Sequence, residues 1–498
     1  MRSRSRAAIG IWRARKVRAP GDRAYVIYAV FMVALVVVAP FARAVWLSAT
    51  SPEGVALLVS PSAPGATVLV AASLWAGALL LGRDRGPALH PAFLTYALAA
   101  SDLPRSDTFR GPLLRAGALV TAVTTTAAGL VACSVMSQGL AEPFSAAIFT
   151  GVAVLVGVIA TVAWLAGQAL PRAAVPIALS VFSLGLVTAA VPFMQPFTPW
   201  GWVGLAYPGT GTSHTVVPLA VIAAMFVALV PGLMNRLGFT VLAAQAARWD
   251  SATAHAMGVD FSMAAALYRG RPYTGRQIRA VRPVGRLVWT FLARDAIGAA
   301  RTPGRLVVAL VALITGSILM TLAFVPASPG WLLGASSGLV MFAGLGPLTD
   351  GVRHAASVAG GFPLYGIRDE NLLANHMLFP LAIVALVLLT SVIVCSLSIS
   401  VPPAAPLVGS LALGLLAVFN RVGHALKGPV PPSLLTPIPS PMGDLSPAFA
   451  VTWALDGVLL AALAGASAAL AFQTPSLLVV VAAAVLGVGI NRWHHRGS

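Results

Sequence analysis

Asp456 is the carboxylate of this chain that lies well inside a long apolar run, WALDGVLLAALAG. An ionisable group in that setting marks an ion or proton path, or it pairs with a neighbouring helix near the membrane interface. His214 and Gln168 are the other polar groups that an ion-coupled path would recruit. Two mixed-sign groups stand apart from Asp456: Arg105, Asp107 and Arg110, and later Arg368, Asp369 and Glu370. Short charged turns of this kind dock soluble partners by electrostatic complementarity, or they are simply solvated loops. A third feature is the stretch 195–214, QPFTPWGWVGLAYPGTGTSH, which carries no Lys, Arg, Asp or Glu. Its Pro and Gly content excludes a lipid-exposed span, because a broken backbone in hydrocarbon leaves polar groups unpaired. It reads as a re-entrant or interfacial segment with Trp200 and Trp202 at headgroup level, at an outer gate or in an aromatic belt.

Other chemistry is absent from the sequence. A nucleotide-hydrolysing P-loop needs a glycine-rich turn that ends in Lys-Ser/Thr. The two lysines, Lys16 and Lys427, have no such context. There is no HExxH, GxSxG or paired-carboxylate metal motif, so no catalytic residue, metal site or cofactor is expected. Cys133 and Cys395 both fall in apolar runs, without CxxC or Cys/His spacing. A lipid-linked glycosyltransferase would carry carboxylates on outer loops, where only Glu53 and Glu142 are available.

The elements that carry these residues follow from the distribution of charge. Hydrophobic residues make up 58% of the 498 and charged residues 9%. A soluble domain carries about 25% charged residues, so the chain reads as an integral membrane protein. Its net charge of +18 comes from arginines gathered in a few connections, where they set topology and meet anionic headgroups rather than nucleic acid. The Arg, Ala, Val, Gly and Pro bias fits a bacterium with a GC-rich genome.

Twelve apolar spans are expected, at 24–47, 65–82, 113–136, 145–170, 173–194, 215–234, 305–325, 331–348, 376–398, 402–419, 448–472 and 475–490. The first is longer than the h-region of a secretory signal and reads as an uncleaved span. With both termini cytoplasmic, 31 of the 32 Lys/Arg lie on the inner side, leaving only Arg43 outside. Removing one span would turn the later arginine-bearing loops outward. The expected protein is therefore all-α and multi-pass in the inner (cytoplasmic) membrane, with the lipid bilayer as its surroundings.

The spans fall into two parallel halves of six. Each half has two spans, an inner loop of about 30 residues, then the third span. The first loop ends in SDLPRSDTFRGPLLR and the second in GGFPLYGIRDENLLANHML, each with a hydrophobe-Pro pair, Leu103-Pro104 or Phe362-Pro363, before a charged turn. A basic segment precedes each half. In the second, Leu287, Val288, Phe291 and Leu292 alternate with Arg286, Arg294, Asp295 and then Arg301 at helical spacing. This predicts an interfacial helix that Pro303 ends. The expected divisions are a basic cytoplasmic segment 1–23, a first six-helix half 24–234 and a basic linker 235–304. A second half 305–490 and a cytoplasmic tail 491–498 complete the chain. The 420–447 loop, with seven prolines, reads as extended.

Six spans per half, an amphipathic basic segment before the first and a short charged inner helix between the second and third resemble the permease subunits of type II ABC exporters. LARDAIGAARTPGRL (292–306) is similar to the segment leading into such permeases. The layout also resembles polytopic proteins of GC-rich bacteria. The resemblance implies two six-span units fused in one chain, separate ATP-binding cassette ATPase subunits on the inner loops, and no catalysis by the chain itself. It also implies an outer helical hairpin between the fifth and sixth spans. This fits 195–214 in the first half and is nearly absent at 473–475 in the second. An ion-coupled secondary transporter and a non-transporting membrane scaffold remain the alternatives.

Overall fold

A computed structural model describes residues 7, 9–11, 27–28, 31–32, 34–209, 213–270, 274–275, 277–279, 286–326, 328–359, 361, 366–399, 401–428, 430–434, 436–440 and 443–496. Most of the basic segment 1–23, the start of the first expected span, and Phe362-Pro363 lie outside these residues.

The described chain is helical apart from a minimal antiparallel pair, β1 (Pro439–Ser440) and β2 (Gly443–Asp444). Apolar runs form helices because lipid offers the backbone no partners, and a helix satisfies its own N–H and C=O groups. The chain divides into two compact units between Ala254 and His255. The first holds α1 (Ala39–Thr50), α2 (Pro52–Leu58), α3 (Ala63–Asp84), α4 (Ala92–Ala99), α5 (Arg105–Thr108) and α6 (Arg110–Ser137). These are followed by α7 (Pro143–Ala169), α8 (Pro171–Ala190), α9 (Pro199–Leu205), α10 (Val216–Asn235) and most of α11 (Phe239–Met257). The second holds α12 (Phe261–Ala266), α13 (Leu287–Ala300), α14 (Pro303–Leu322), α15 (Gly330–Gly344) and α16 (Asp350–Val358). It ends with α17 (Asp369–Ser398), α18 (Ala404–Ala425), α19 (Ser446–Ala469) and α20 (Pro475–His494). Four of the long helices begin on proline, Pro143, Pro171, Pro303 and Pro475, where the missing N–H costs nothing.

Ten of these helices are long and apolar enough to cross a membrane: α3, α6, α7, α8, α10, α14, α17, α18, α19 and α20. They make the chain a polytopic membrane protein, and they coincide with ten of the expected spans. The eighth expected span, 331–348, is the 15-residue α15, about 22 Å at 1.5 Å per residue against about 30 Å of hydrocarbon. It stops early because Leu345, Gly346 and Pro347 break the run. Its C-terminal carbonyls are then met by an arginine: Arg421 Nε donates to the Phe342 carbonyl at 2.7 Å, and the guanidinium lies 3.7 Å from the Phe342 ring. Of the first expected span, α1 is described together with a π-turn at Ala34–Val38. Pro40 has no N–H for the carbonyl four residues back, which accounts for the turn.

Taken separately, the two units share several helix pairings, whereas the packing of α14 on α15 is particular to the second and that of α9 on α3 to the first. In the first, α6 packs on α7, α3 on α7 and α8, α7 on α10, and α1 on α6. In the second, the corresponding pairs are α17 with α18, α15 with α18 and α19, α18 with α20, and α14 with α17. In each unit one helix is central: 50% of the apolar stretch of α7 and 61% of that of α18 is buried, against 11% for α10 and for α20. Close crossings rest on small residues. A Cβ on Gly82 would overlap the Trp164 carbonyl, and one on Gly167 the Leu79 carbonyl, so α3 and α7 meet backbone to backbone. Gly338 meets Ala461, and Gly334 meets Gly465, in the same way between α15 and α19.

Two further details differ from expectation. Helix α11 packs into the first unit through Leu242, Gln245 and Ala246, so the basic linker expected from residue 235 begins with a folded helix. The loop 420–447 is not simply extended. Asp444 accepts hydrogen bonds from the Ile438 and Ser446 backbone N–H groups at 2.8 and 2.9 Å and closes the small hairpin. Those bonds hold its carboxyl below the usual carboxylate value.

Candidate functional site

The charged turn of the first unit borders a cavity. Pro104 starts α5, and Phe109, fully buried, ends it before α6. The turn is fixed at both sides. The Ser106 N–H donates to Asn235 Oδ1 at the end of α10 (3.3 Å), and His90 Nε2 donates to the Thr108 carbonyl (3.0 Å). Ser106, Asp107 and Arg110 form the polar end of a cavity of about 810 Å³. Its walls are apolar faces of α6, α7 and α10, including Leu113, Leu114, Val162 and Val230. This volume lies within the range of small-molecule sites, about 300–1,000 Å³. Arg105 and Asp107 are half-buried and Arg110 is exposed.

The matching charged group of the second unit starts α17. Arg368 is exposed just ahead of the helix. Asp369 and Glu370 occupy the first turn, where negative charge is favoured. Arg496 Nη2 lies 3.7 Å from Asp369 and 3.8 Å from Glu370, so the tail engages these acids. The short helix between α15 and α17 is α16, which the sequence did not single out. Its signal was the run Asp350, Arg353, His354. Arg305 and Arg353 both bind Asp350, at 2.9 and 3.1 Å. Burial, then Arg269, lowers the Arg353 pKa, with Asp350 opposing.

The expected interfacial helix is α13, and Pro303 starts the next helix as expected. Leu287, Val288 and Trp289 are exposed and Arg286 precedes them. Phe291, read as part of the lipid-facing side, instead packs with Ala355 and Leu372. Asp295, read as part of the polar face, also points inward and accepts a hydrogen bond from His376 Nδ1 at 2.7 Å. The two side chains are 8% and 0% exposed. Both corrections have one cause: α17, together with Gly351 and Ala355 of α16, covers that side of α13, so an isolated amphipathic pattern acquires a protein partner. Arg301 donates to the Ile278 carbonyl at 2.6 Å. Burial, then Arg294 and His376, keeps nearby His354 below the usual histidine value.

The Asp295–His376 pair fills space that Gly351 leaves open. A Cβ on Gly351 would lie 2.5 Å from Asp295 Oδ2 and from His376 Nδ1. Gly351→Ala is therefore expected to cost about 1–3 kcal/mol, the usual cost of overpacking, read as a lower unfolding temperature of the purified protein. An unchanged temperature would show that the pair is not held there.

Trp200 is turned into the first unit. It is buried, its indole N–H donates to Thr188 Oγ1 at 3.0 Å, and its ring meets that of Trp75. Trp202 is half-buried and donates to the Pro196 carbonyl at 2.6 Å. The segment folds back because Pro192–Phe197 forms a 3-10 turn and α9 then packs along α3. Tyr207, just beyond, donates to the Leu58 carbonyl at 2.7 Å, and burial pushes its pKa up to about 12. His214 is exposed in a 3-10 turn. In the second unit, only a turn joins α19 to α20.

Gln168 and Asp456 sit in polar knots. Gln168 Nε2 donates to Gln245 Oε1 at 3.0 Å, and its own Oε1 accepts from the Ala88 N–H at 3.3 Å. Asp456 Oδ1 is 2.8 Å from Lys427 Nζ, and its Oδ2 is bound by Arg492. The Lys427 ammonium also lies 4.0 Å from the Trp453 ring. Burial lowers the Lys427 pKa while Asp456 opposes that shift. Gln245, Lys427 and Arg492 were not singled out in the sequence, although the spacing of Leu242, Gln245 and Ala246 on one helix face was a signal for the first.

Among the described residues no group of three or more His, Cys, Asp or Glu is placed to hold a metal ion. The arrangement thus offers an amphipathic cavity beside a charged turn and several ion pairs that tie helices together. No family of proteins, no curated protein and no solved structure matches the chain.

Proposed function

We propose that the chain is the membrane-spanning permease of an ABC-type exporter in a bacterial cytoplasmic membrane. It has twelve spans in two halves of six, both termini on the cytoplasmic side, and no catalysis of its own. Separate ATPase subunits dock at the inner turns that carry Arg105, Asp107 and Arg110, and Arg368, Asp369 and Glu370. The observation that carries the reading is the position of α5. It borders the cavity and is bonded to α10 through Asn235, so a force applied to the turn acts directly on the cavity wall. The helix pairings that the two units share support the repeat. Asp456 weighs against ion coupling, because Lys427 and Arg492 occupy both its oxygens.

The test is an affinity purification from the native membrane after detergent extraction. The expected result is a stoichiometric ATP-binding subunit. Its recovery should fall at least tenfold in the double variant Arg105→Glu, Arg368→Glu, since like-charge contacts at an interface cost several kcal/mol. Recovery of the intact protein without any ATPase would refute the reading.

A further inference from the structure

We propose that the cavity among α5, α6, α7 and α10 is a site for one anionic lipid drawn from the surrounding bilayer. The walls are almost wholly hydrocarbon, as acyl chains require. Two lining residues, Leu114 and Val227, are 58% and 48% exposed. The lining therefore continues into the apolar outer surface of the helices, and a lipid reaches the cavity sideways without crossing water. The polar end selects the headgroup. Arg110 is exposed there, and none of the ion pairs formed among the described residues involves it. Ser106 and Asp107 lie at the same end. An arginine at the foot of an apolar cleft meets a lipid phosphate while the tails lie against the walls. Asp107 has an interaction of its own, and a zwitterionic headgroup, although it offers Arg110 the same phosphate, also brings toward that guanidinium a cation that an anionic headgroup lacks.

Whether the bound lipid is cargo rests on the permease reading; the binding does not, and the test addresses binding alone. Leu114→Trp places a fluorescent reporter in the cavity wall, with the unsubstituted chain as the background. The full-length protein is reconstituted in phosphatidylcholine vesicles that contain brominated phosphatidylglycerol or, at the same mole fraction, brominated phosphatidylcholine. A single basic group near a membrane surface contributes about 1 kcal/mol toward an anionic lipid, or about a fivefold preference.

The reporter should therefore show about fivefold stronger apparent affinity for the brominated phosphatidylglycerol. Adding Arg110→Gln should remove the preference, and adding Ala118→Phe, which fills the cavity, should remove the quenching above background. Equal quenching by the two lipids would overturn the proposal and leave ordinary annular contact. A preference that survives Arg110→Gln would overturn it too. So would quenching produced only by a brominated fatty acid added from the aqueous side. A clear lipid preference in a protein that purifies without an ATPase would sink the permease reading and leave this site standing.

Discussion

Asp456→Asn is expected to destabilise the protein by about 3–5 kcal/mol, the cost of removing one partner from a buried ion pair. At the usual sensitivity of domains of this size, that is a fall on the order of 10 °C in unfolding temperature. The carboxylate is shared by two cations, Lys427 at 2.8 Å and Arg492 on the other oxygen, whose side chains are 6% and 14% exposed. Arg492 also donates to the Gly423 carbonyl at 3.0 Å. The triad therefore joins α18, α19 and α20. An asparagine leaves two largely buried cations facing each other without a counter-charge.

The triple variant Lys427→Met, Asp456→Leu, Arg492→Leu removes all three charges. It should recover most of the lost stability, because apolar replacements of a buried ionic cluster are often neutral. Thermal unfolding of the purified proteins measures both. A single variant as stable as the parent would mean that water or another group already compensates the cations. Asp456 would then return as a candidate for the transport path.

Gln245→Leu should cost about 2–5 kcal/mol despite its similar volume. Gln245 is 4% exposed and serves four partners. Its Nε2 donates to the Gly82 and Arg83 carbonyls at 3.1 and 3.0 Å, and its Oε1 accepts from the Gly86 N–H at 3.1 Å and from Gln168. These bonds close the C-terminal end of α3, where helix carbonyls lose their own partners. A leucine leaves them unpaired in a dry setting, at about 1–3 kcal/mol for each group that finds no substitute. Hydrogen exchange is the sharper readout. The Gly86 and Ala88 amides should exchange faster in the variant while the central α7 amides keep their protection. Unchanged exchange at Gly86 would show that the side chain does not hold the turn.

The two knots illustrate what pattern reading can and cannot reach. Asp456 stood out because a carboxylate in an apolar run is costly, but the cost does not name the partner. Lys427 and Arg492 are 29 and 36 residues away in sequence, and only the packing of α18, α19 and α20 brings them to one carboxylate. Gln168 read as a candidate for an ion path because it is polar inside a span, whereas its amide is engaged by Ala88 and Gln245.

The class of the protein and the positions of ten long apolar helices were legible in the sequence. Hydrocarbon forces every apolar run of sufficient length into a helix that satisfies its own backbone, and proline marks the start of four of them. That constraint is local, so it is legible residue by residue. Which face of each helix meets protein is set by long-range packing. Trp200 turns inward because α9 lies along α3, and Asp295 turns inward because α17 brings His376 beside it. Likewise the end of α15, broken at Leu345-Gly346-Pro347, is closed by Arg421 from α18. In lipid and in protein a side chain meets similar apolar surroundings, so periodicity does not separate the two. The placement of polar groups then depends on long-range partners that no window of sequence contains.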